Sequence, residues 1–114
     1  MIGKVDVIYC PTDNTIAAGM QTVSMIANDN GLPTIVGEQG MVENGGLATY
    51  GIDYERLGRM AGEMAVKILK GESKPQDMAI EHEDASECTL VTNKATADKL
   101  GVDLSVLGDT QTQV

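Results

Sequence analysis

The sequence predicts an α/β fold built on a parallel β-sheet. Val5 to Cys10 is rich in β-branched residues and ends at a proline, which is typical of a buried strand that stops at a loop. Apolar residues at helical spacing then predict a helix to about Asn28, and Pro33 to Gly37 reads as a second buried strand. A strand, a helix and a strand in this order predict a βαβ unit with two parallel strands.

The rest of the chain continues the alternation of strands and helices. The predicted elements are a helical turn at Met41–Asn44, a strand at Leu47–Gly51, a helix from Asp53 to Lys70, strands at Met78–Glu83 and Cys88–Thr92, and a short helix that Asn93 caps and that runs to Leu100. Residues 105–114 are polar and lack periodicity, so we expect a disordered tail.

Length and charge limit the classes of function. The 114 residues suffice for one compact domain, and the formal net charge of −9 comes with only eight dispersed basic residues. A surface for nucleic acid or for an anionic membrane needs clustered Lys and Arg. We therefore expect no nucleic-acid partner.

Chemistry-bearing residues are sparse. Cys10 and Cys88 lie in separate apolar runs, which favours free buried thiols over a disulfide. With His82 as the single histidine and no CxxC pattern, we expect no metal site. No nucleophile elbow, P-loop or GxGxxG motif occurs, so we expect no cofactor and assign no catalytic residue.

Polar residues follow three of the predicted strands, where the ligands of open parallel sheets bind. They are Thr12, Asp13, Asn14, Glu38 and Asp53. Amides at a helix start can hold a carboxylate and acidic side chains can hold an ammonium group, so these residues suit a small amino-acid-like ligand.

Helix capping is the alternative explanation for three of these residues. Asp13, Asn14 and Asp53 stand at predicted helix starts, where capping alone accounts for their residue types. Glu38 follows a buried strand and has no evident capping role, which makes it the most informative of the five.

Two long strings carry a family resemblance. VDVIYCPTDNTIAAGM and PTIVGEQGMVENGGLATYGIDYERLGRMAGEMAVKILKGESKPQDM resemble the C-terminal region of ABC-transporter substrate-binding proteins with the type I periplasmic-binding fold. The branch associated with uptake of tryptophan and tyrosine is the most similar, and the resemblance extends from Val5 to about Gly101. The pieces are specific as a set, although each alone is weak.

The resemblance implies a three-layer, Rossmann-like sheet and places residues 1–104 in the C-terminal lobe and crossover region of such a protein. It implies two lobes that close on an amino-acid-like solute, with the loop at residues 11–14 lining the cleft, Glu38 at an acidic position of the family and Asp53 in a crossing segment. The partner would be an ABC permease, and the protein an extracellular or periplasmic lipoprotein whose signal lies outside this chain.

Such proteins are about three times longer, so the apolar stripe of the predicted helix Asp53–Lys70 requires a covering surface. We expect this helix either to fold back onto the sheet or to pair with a second copy in a homo-oligomer. Two other functions remain open: the ligand-sensing domain of a transcription regulator, and a small α/β enzyme.

Overall fold

The computed structural model describes residues 1–108 and 112–114, which form two compact units. Unit 1 comprises Met1–Gly51 and Thr89–Val114, and unit 2 comprises Ile52–Cys88. Among the described residues, no helix combines the length and the apolar content needed to cross a bilayer.

Unit 1 is a five-stranded sheet with helices between the strands. Its strands, in both chain order and sheet order, are β1 (Ile8–Cys10), β2 (Thr34–Val36), β3 (Ala48–Gly51), β4 (Thr89–Thr92) and β5 (Thr112–Gln113). Its helices are α1 (Asn14–Ala18), α2 (Met20–Asp29), α3 (Gln39–Glu43) and α5 (Lys94–Leu100). The predicted α/β class is confirmed.

Strand direction departs from the prediction at β4. β1, β2 and β3 are mutually parallel, as the βαβ pattern predicts, and β5 is parallel to β4. β4, however, is antiparallel to β3, with Gly51 paired to Thr89. The sheet is thus mostly parallel, and the predicted parallel arrangement fails only between β3 and β4, because the chain returns to the sheet beside the point where it left and therefore runs back along β3.

The main core lies on one face of the sheet. It contains Cys10, Met20, Val36, Met41, Val42 and Val91, with Ile8, Ile16, Ala17 and Val23 packed against them. On the opposite face Tyr9, Ile35 and Tyr50 are exposed, while Ala48 packs against Ala97 of α5. Residues thus alternate between the two faces along β1 and β2, as strand geometry requires.

The first predicted helix is divided into two. Gly19 is the C-terminal cap of α1 and the N-terminal cap of α2, and its N–H donates to the carbonyls of both Thr15 and Ile16. The apolar spacing runs continuously through Gly19, so periodicity could not reveal the break. Glycine has the lowest helix propensity after proline, which makes it a favourable place for the two helices to separate.

Asn93 joins two parts of unit 1. Its Oδ1 accepts a hydrogen bond from the N–H of Thr96 at 3.0 Å and caps α5, as predicted. Its Nδ2 donates to the carbonyl of Val42, at the end of α3, at 2.9 Å. Gly101 then ends α5 in the left-handed conformation, with φ of 69°.

Unit 2 contains one long helix, α4 (Tyr54–Leu69), and two short 3-10 turns at Pro75–Asp77 and Ala85–Glu87. No strand forms at Met78–Glu83, contrary to prediction. Ile80, the apolar residue in the middle of this segment, is 94% exposed and so lacks the packing that a buried strand would give it.

The apolar stripe of α4 is not buried within this chain. No residue of the helix is buried; Leu57, Met60 and Met64 are half-buried and Ile68 is exposed. Both predicted ways of covering this stripe, by the sheet or by a second copy of the chain, stay predictions.

The C-terminal segment is more ordered than predicted. Leu104–Leu107 forms a 3-10 turn that Asp103 caps, and Thr112–Gln113 pairs with β4. Backbone hydrogen bonds to Thr92 and Lys94 hold Val114 at this end of the sheet. The rest of the predicted disordered tail, residues 109–111, lies outside the described residues.

Candidate ligand-binding edge of the sheet

The loops that follow β1 and β2 touch at the carboxyl end of the sheet. A Cβ atom built on Gly37 would lie 2.5 Å from the backbone N of Thr12 and 2.3 Å from its Oγ1. Separations this short are below any normal van der Waals contact. Only a residue without a side chain lets these loops approach so closely, so Gly37 places the segment 11–14 directly beside Glu38.

The end of β3 meets the same edge. A Cβ atom built on Gly51 would lie 3.8 Å from the Cα of Glu38 and 3.3 Å from the Oγ1 of Thr49. Glu38 therefore stands between the loop after β1 and the end of β3. The predicted convergence of strand ends is present in unit 1.

Asp13 caps α1 and keeps its charge. Its Oδ1 accepts hydrogen bonds from the N–H groups of Thr15 at 2.8 Å and Ile16 at 3.0 Å. The bonds from Ile16 and Thr15 hold the pKa of this exposed carboxyl below its ordinary value, because they favour the ionised form. The capping alternative is confirmed for Asp13. The N–H groups of Thr15 and Ile16 at the start of α1 therefore bind the carboxylate of Asp13 and not that of a ligand.

Thr12 and Asn14 flank this cap and are both exposed. Asn14 is the first residue of α1 rather than its cap, so the cap hydrogen bonds belong to Asp13 alone. The segment therefore presents a hydroxyl, a carboxylate and an amide in three consecutive positions.

Glu38 has the cap position of α3 without a capping function. Its backbone is extended and its side chain makes no capping hydrogen bond. The carboxylate instead lies over Gly40, with Oε1 3.2 Å from the position of a Cβ on that glycine. Glu38 is half-buried, and its carboxylate is the acidic group that the sequence analysis singled out as the most informative candidate for ligand contact.

Asp53 belongs to unit 2, where it caps α4. Its Oδ1 accepts hydrogen bonds from the N–H groups of Glu55 at 2.9 Å and Arg56 at 3.2 Å, so the capping alternative is confirmed here too. Its own N–H donates to Oε2 of Glu83 at 2.9 Å. Its predicted membership of the same site as Asp13 and Glu38 stays a prediction.

Glu83 is a residue that the sequence did not single out. Its side chain is 1% exposed, whereas Glu81, His82 and Asp84 around it are all exposed. Four consecutive polar residues read as one solvated run, and nothing in their order marks the single member that points inward. The burial of Glu83 depends on its contact with Asp53, which lies far away in the sequence.

The described residues contain no group of three or more His, Cys, Asp or Glu side chains arranged to hold a metal ion. Both cysteines are free thiols; Cys10 is buried and Cys88 half-buried. Burial raises the pKa of the Cys10 thiol. The carboxylates of Asp13 and Glu38 make this edge of the sheet acidic, so it suits recognition of a small cationic or zwitterionic group.

Comparison with known proteins places this fold in a family. A family model described as "ABC transporter substrate binding protein" matches residues 1–107. A tyrosine-binding protein of Clostridioides difficile (strain R20291) is 52% identical over 73 residues, which are 64% of this chain and 21% of that protein.

Solved structures agree with this match. A substrate-binding protein with adhesive properties from Clostridium difficile, in a ligand-free, open structure, is 41% identical with a TM-score of 0.78 over 99% of this chain and 37% of that one. An ABC domain from Streptococcus pneumoniae in complex with L-Trp is 38% identical, with a TM-score of 0.83 over 100% of this chain and 38% of that one. A conserved domain protein of Vibrio cholerae is 30% identical, with a TM-score of 0.80 over 96% and 36%.

This chain thus spans 21% of the curated relative and 36–38% of the solved relatives. The family model covers residues 1–107, nearly the whole sequence, and the strand ends converge as ligand sites of this fold require. The chain belongs to the family of ABC transporter substrate-binding proteins.

Proposed function

We propose that this chain supplies one wall of a cleft that binds a free amino acid for uptake through an ABC importer. The observation that carries the proposal is the contact of Thr12 with Gly37. It brings the ionised Asp13 and the uncommitted carboxylate of Glu38 to one edge of the sheet. Two relatives support the ligand class, since one is named a tyrosine-binding protein and another was solved with L-Trp.

The proposed roles follow from the charges. Asp13 and Glu38 accept hydrogen bonds from the ligand's ammonium group, which carboxylates bind more strongly than neutral acceptors do. Thr12 and Asn14 contact the polar remainder of the amino acid, and Asp53 contributes from unit 2. No step of bond making is involved, so the function is binding without catalysis.

An aromatic ligand has a candidate stacking surface in unit 1. Tyr50 is 61% exposed and immediately precedes Gly51 at the carboxyl end of β3. Tyrosine offers a flat apolar face with a polar edge, and aromatic pairs gain roughly 0.5–1.5 kcal/mol beyond the area that they bury. This favours tryptophan and tyrosine over small amino acids.

Partners and location are proposed from the family. Substrate-binding proteins of ABC transporters act outside the cytoplasmic membrane, and we place this protein there as a lipoprotein that docks on a permease. The unburied apolar stripe of α4 supports self-association of the isolated chain as a homo-oligomer.

Calorimetry with L-tryptophan, L-tyrosine and glycine tests the proposal, on this chain and on the complete product of its gene. Asp13→Asn is the informative variant, because asparagine also caps helices well but carries no charge. We expect it to weaken binding of the aromatic amino acids by roughly tenfold or more, since hydrogen bonds to charged groups contribute about 1.5–3 kcal/mol.

Asp29→Asn is the matched control, since Asp29 is an exposed acid at the end of α2 that forms a surface ion pair with Lys99. Its affinity should equal that of the wild type. If the complete gene product binds none of the three amino acids, the proposed function is wrong. If it binds them and Asp13→Asn binds equally well, only the role of Asp13 is wrong.

A further inference from the structure

The two chain segments that enter and leave unit 2 start from paired positions. The chain leaves the sheet after Gly51 and returns at Thr89, and these residues are cross-strand partners in the β3–β4 ladder. The outgoing segment runs through Asp53 into α4. The returning segment runs from Glu83 through the 3-10 turn at Ala85–Glu87.

Glu83 ties these two segments together within unit 2. Its Oε2 accepts the hydrogen bond from the N–H of Asp53 at 2.9 Å, and its Oε1 lies 3.7 Å from Nε of Arg56. Arg56 also forms an ion pair with Glu87 in the returning segment. Two acids of the returning segment thus make three contacts with the first turn of α4, two of them through Arg56.

The 3-10 turn that holds Glu87 is itself fixed. Asp84 and Glu87 form a capping box, in which the N–H of Asp84 donates to Oε2 of Glu87 at 3.1 Å. Glu87 therefore binds Arg56 through one carboxylate oxygen and the turn through the other. The returning segment offers α4 a fixed partner instead of a free side chain.

The burial of Glu83 shows that this tie is not a surface ion pair. Its side chain is 1% exposed, and its Oε1 makes no hydrogen bond, so that Arg56 compensates this oxygen only through charge. A buried carboxylate has a high desolvation cost, and replacing such pairs with apolar residues is often neutral for stability or improves it. In some proteins a buried polar or ionic group serves to fix one geometry instead of adding stability.

We propose that Glu83 is a positioning residue for ligand binding: it locks the outgoing segment to the returning one, and so holds Asp53 and the start of α4 in one orientation. The inference rests on the proposed function. The ligand then meets a preorganised residue instead of ordering it on binding.

Amide exchange of the Asp53 N–H, measured by NMR without ligand, tests the tie itself. Glu83→Ala removes the acceptor and should speed exchange at Asp53 by roughly tenfold or more. Glu83→Gln keeps an acceptor oxygen and should restore most of the protection, which also guards against failure of the alanine variant to fold. Glu81→Ala, which removes an exposed acid two residues away, should leave exchange unchanged.

Calorimetry with L-tryptophan and L-tyrosine on the complete gene product tests the positioning role. We expect Glu83→Ala to weaken binding by roughly tenfold, Glu83→Gln by less, and Glu81→Ala not at all. Unchanged exchange in Glu83→Ala overturns the tie. Faster exchange with wild-type affinity overturns the positioning role, as does equal weakening by Glu81→Ala. A wild-type protein that binds neither amino acid instead overturns the proposed function.

Discussion

Replacing Gly37 with alanine perturbs the candidate site at its closest backbone contact. The added Cβ would lie 2.5 Å from the backbone N of Thr12 and 3.1 Å from the carbonyl carbon of Pro11, whereas ordinary contacts begin near 3.4 Å. Because backbone atoms cannot rotate away as a side chain can, the loop after β1 must retreat by about 1 Å. The φ angle of Gly37 is not in the left-handed region, so the whole effect is steric.

The expected loss of stability follows from overpacking. Extra atoms in a close-packed contact typically cost about 1–3 kcal/mol, and we expect Gly37→Ala to lower the free energy of unfolding by this amount. A shift of about 1 Å in a binding loop also degrades geometry severely, as it does in active sites, so amino-acid affinity should fall by about tenfold or more.

Urea denaturation followed by circular dichroism measures the first effect and calorimetry the second. Gly19→Ala is the matched control in unit 1, because its Cβ would lie 3.6 Å or more from its nearest neighbours. This change should leave stability unchanged or raise it by up to about 1 kcal/mol. If Gly37→Ala behaves like Gly19→Ala, then the loops after β1 and β2 do not touch and the geometry of the site is wrong.

Three further predictions concern stability, reactivity and pH. Asn93→Ala removes the cap of α5 and one hydrogen bond to the carbonyl of Val42, which keeps the N–H of Gly45 as a donor, so the free energy of unfolding should fall by about 1–3 kcal/mol. Lys94→Ala, which removes a surface ion pair, should cost at most about 0.5 kcal/mol in the same urea titration, and equal losses would contradict this account. Under native conditions iodoacetamide should alkylate Cys88 faster than Cys10, because burial protects Cys10 and raises its thiol pKa; peptide mapping showing the reverse order would refute the burial of Cys10. Folding lowers the pKa of Asp13, so its cap contributes stability at pH values above the ordinary pKa of 3.8 and loses this contribution only as the pH falls through the lower pKa of the folded state. An NMR titration of this carboxyl with a midpoint above pH 3.8 would contradict the hydrogen bonds.

Local patterns predicted most of the fold because they depend on neighbours in sequence. Capping was predicted for Asn93 and was the alternative explanation for Asp13 and Asp53, and each of the three caps a helix through its side-chain oxygen. The strands predicted at Val5–Cys10 and Pro33–Gly37 also form, although both are shorter than the apolar runs. Strand ends depend on pairing, and pairing is not written in one segment alone.

Features that depend on distant segments were not predictable. The direction of β4 depends on where the chain returns after unit 2, and the pairing of β5 depends on an open edge of β4. The division at Gly19 arises in a continuous apolar pattern. For β4 and β5 the deciding contacts join segments that are far apart in the sequence, and a local pattern contains no information about them.

The candidate site was predictable as a place but not as a set of contacts. Parallel topology alone brings the loops after β1 and β2 to one edge, and Thr12 lies there beside Gly37. The inward-pointing carboxylate of Glu83 accepts a hydrogen bond from the N–H of Asp53, which lies thirty positions earlier in the chain. Composition around Glu83 gave no sign of this partnership.

The pairing of Gly51 with Thr89 makes unit 2 an insertion into a β-hairpin. Strands β3 and β4 would need only a two-residue turn to connect them, since antiparallel neighbours are routinely joined in this way. The residues between these two positions therefore need not form any part of the sheet for β3 and β4 to pair. Because the tips of hairpins are the places where insertions are best tolerated, we expect changes in the length of the segment 52–88 to be compatible with the pairing of β3 and β4.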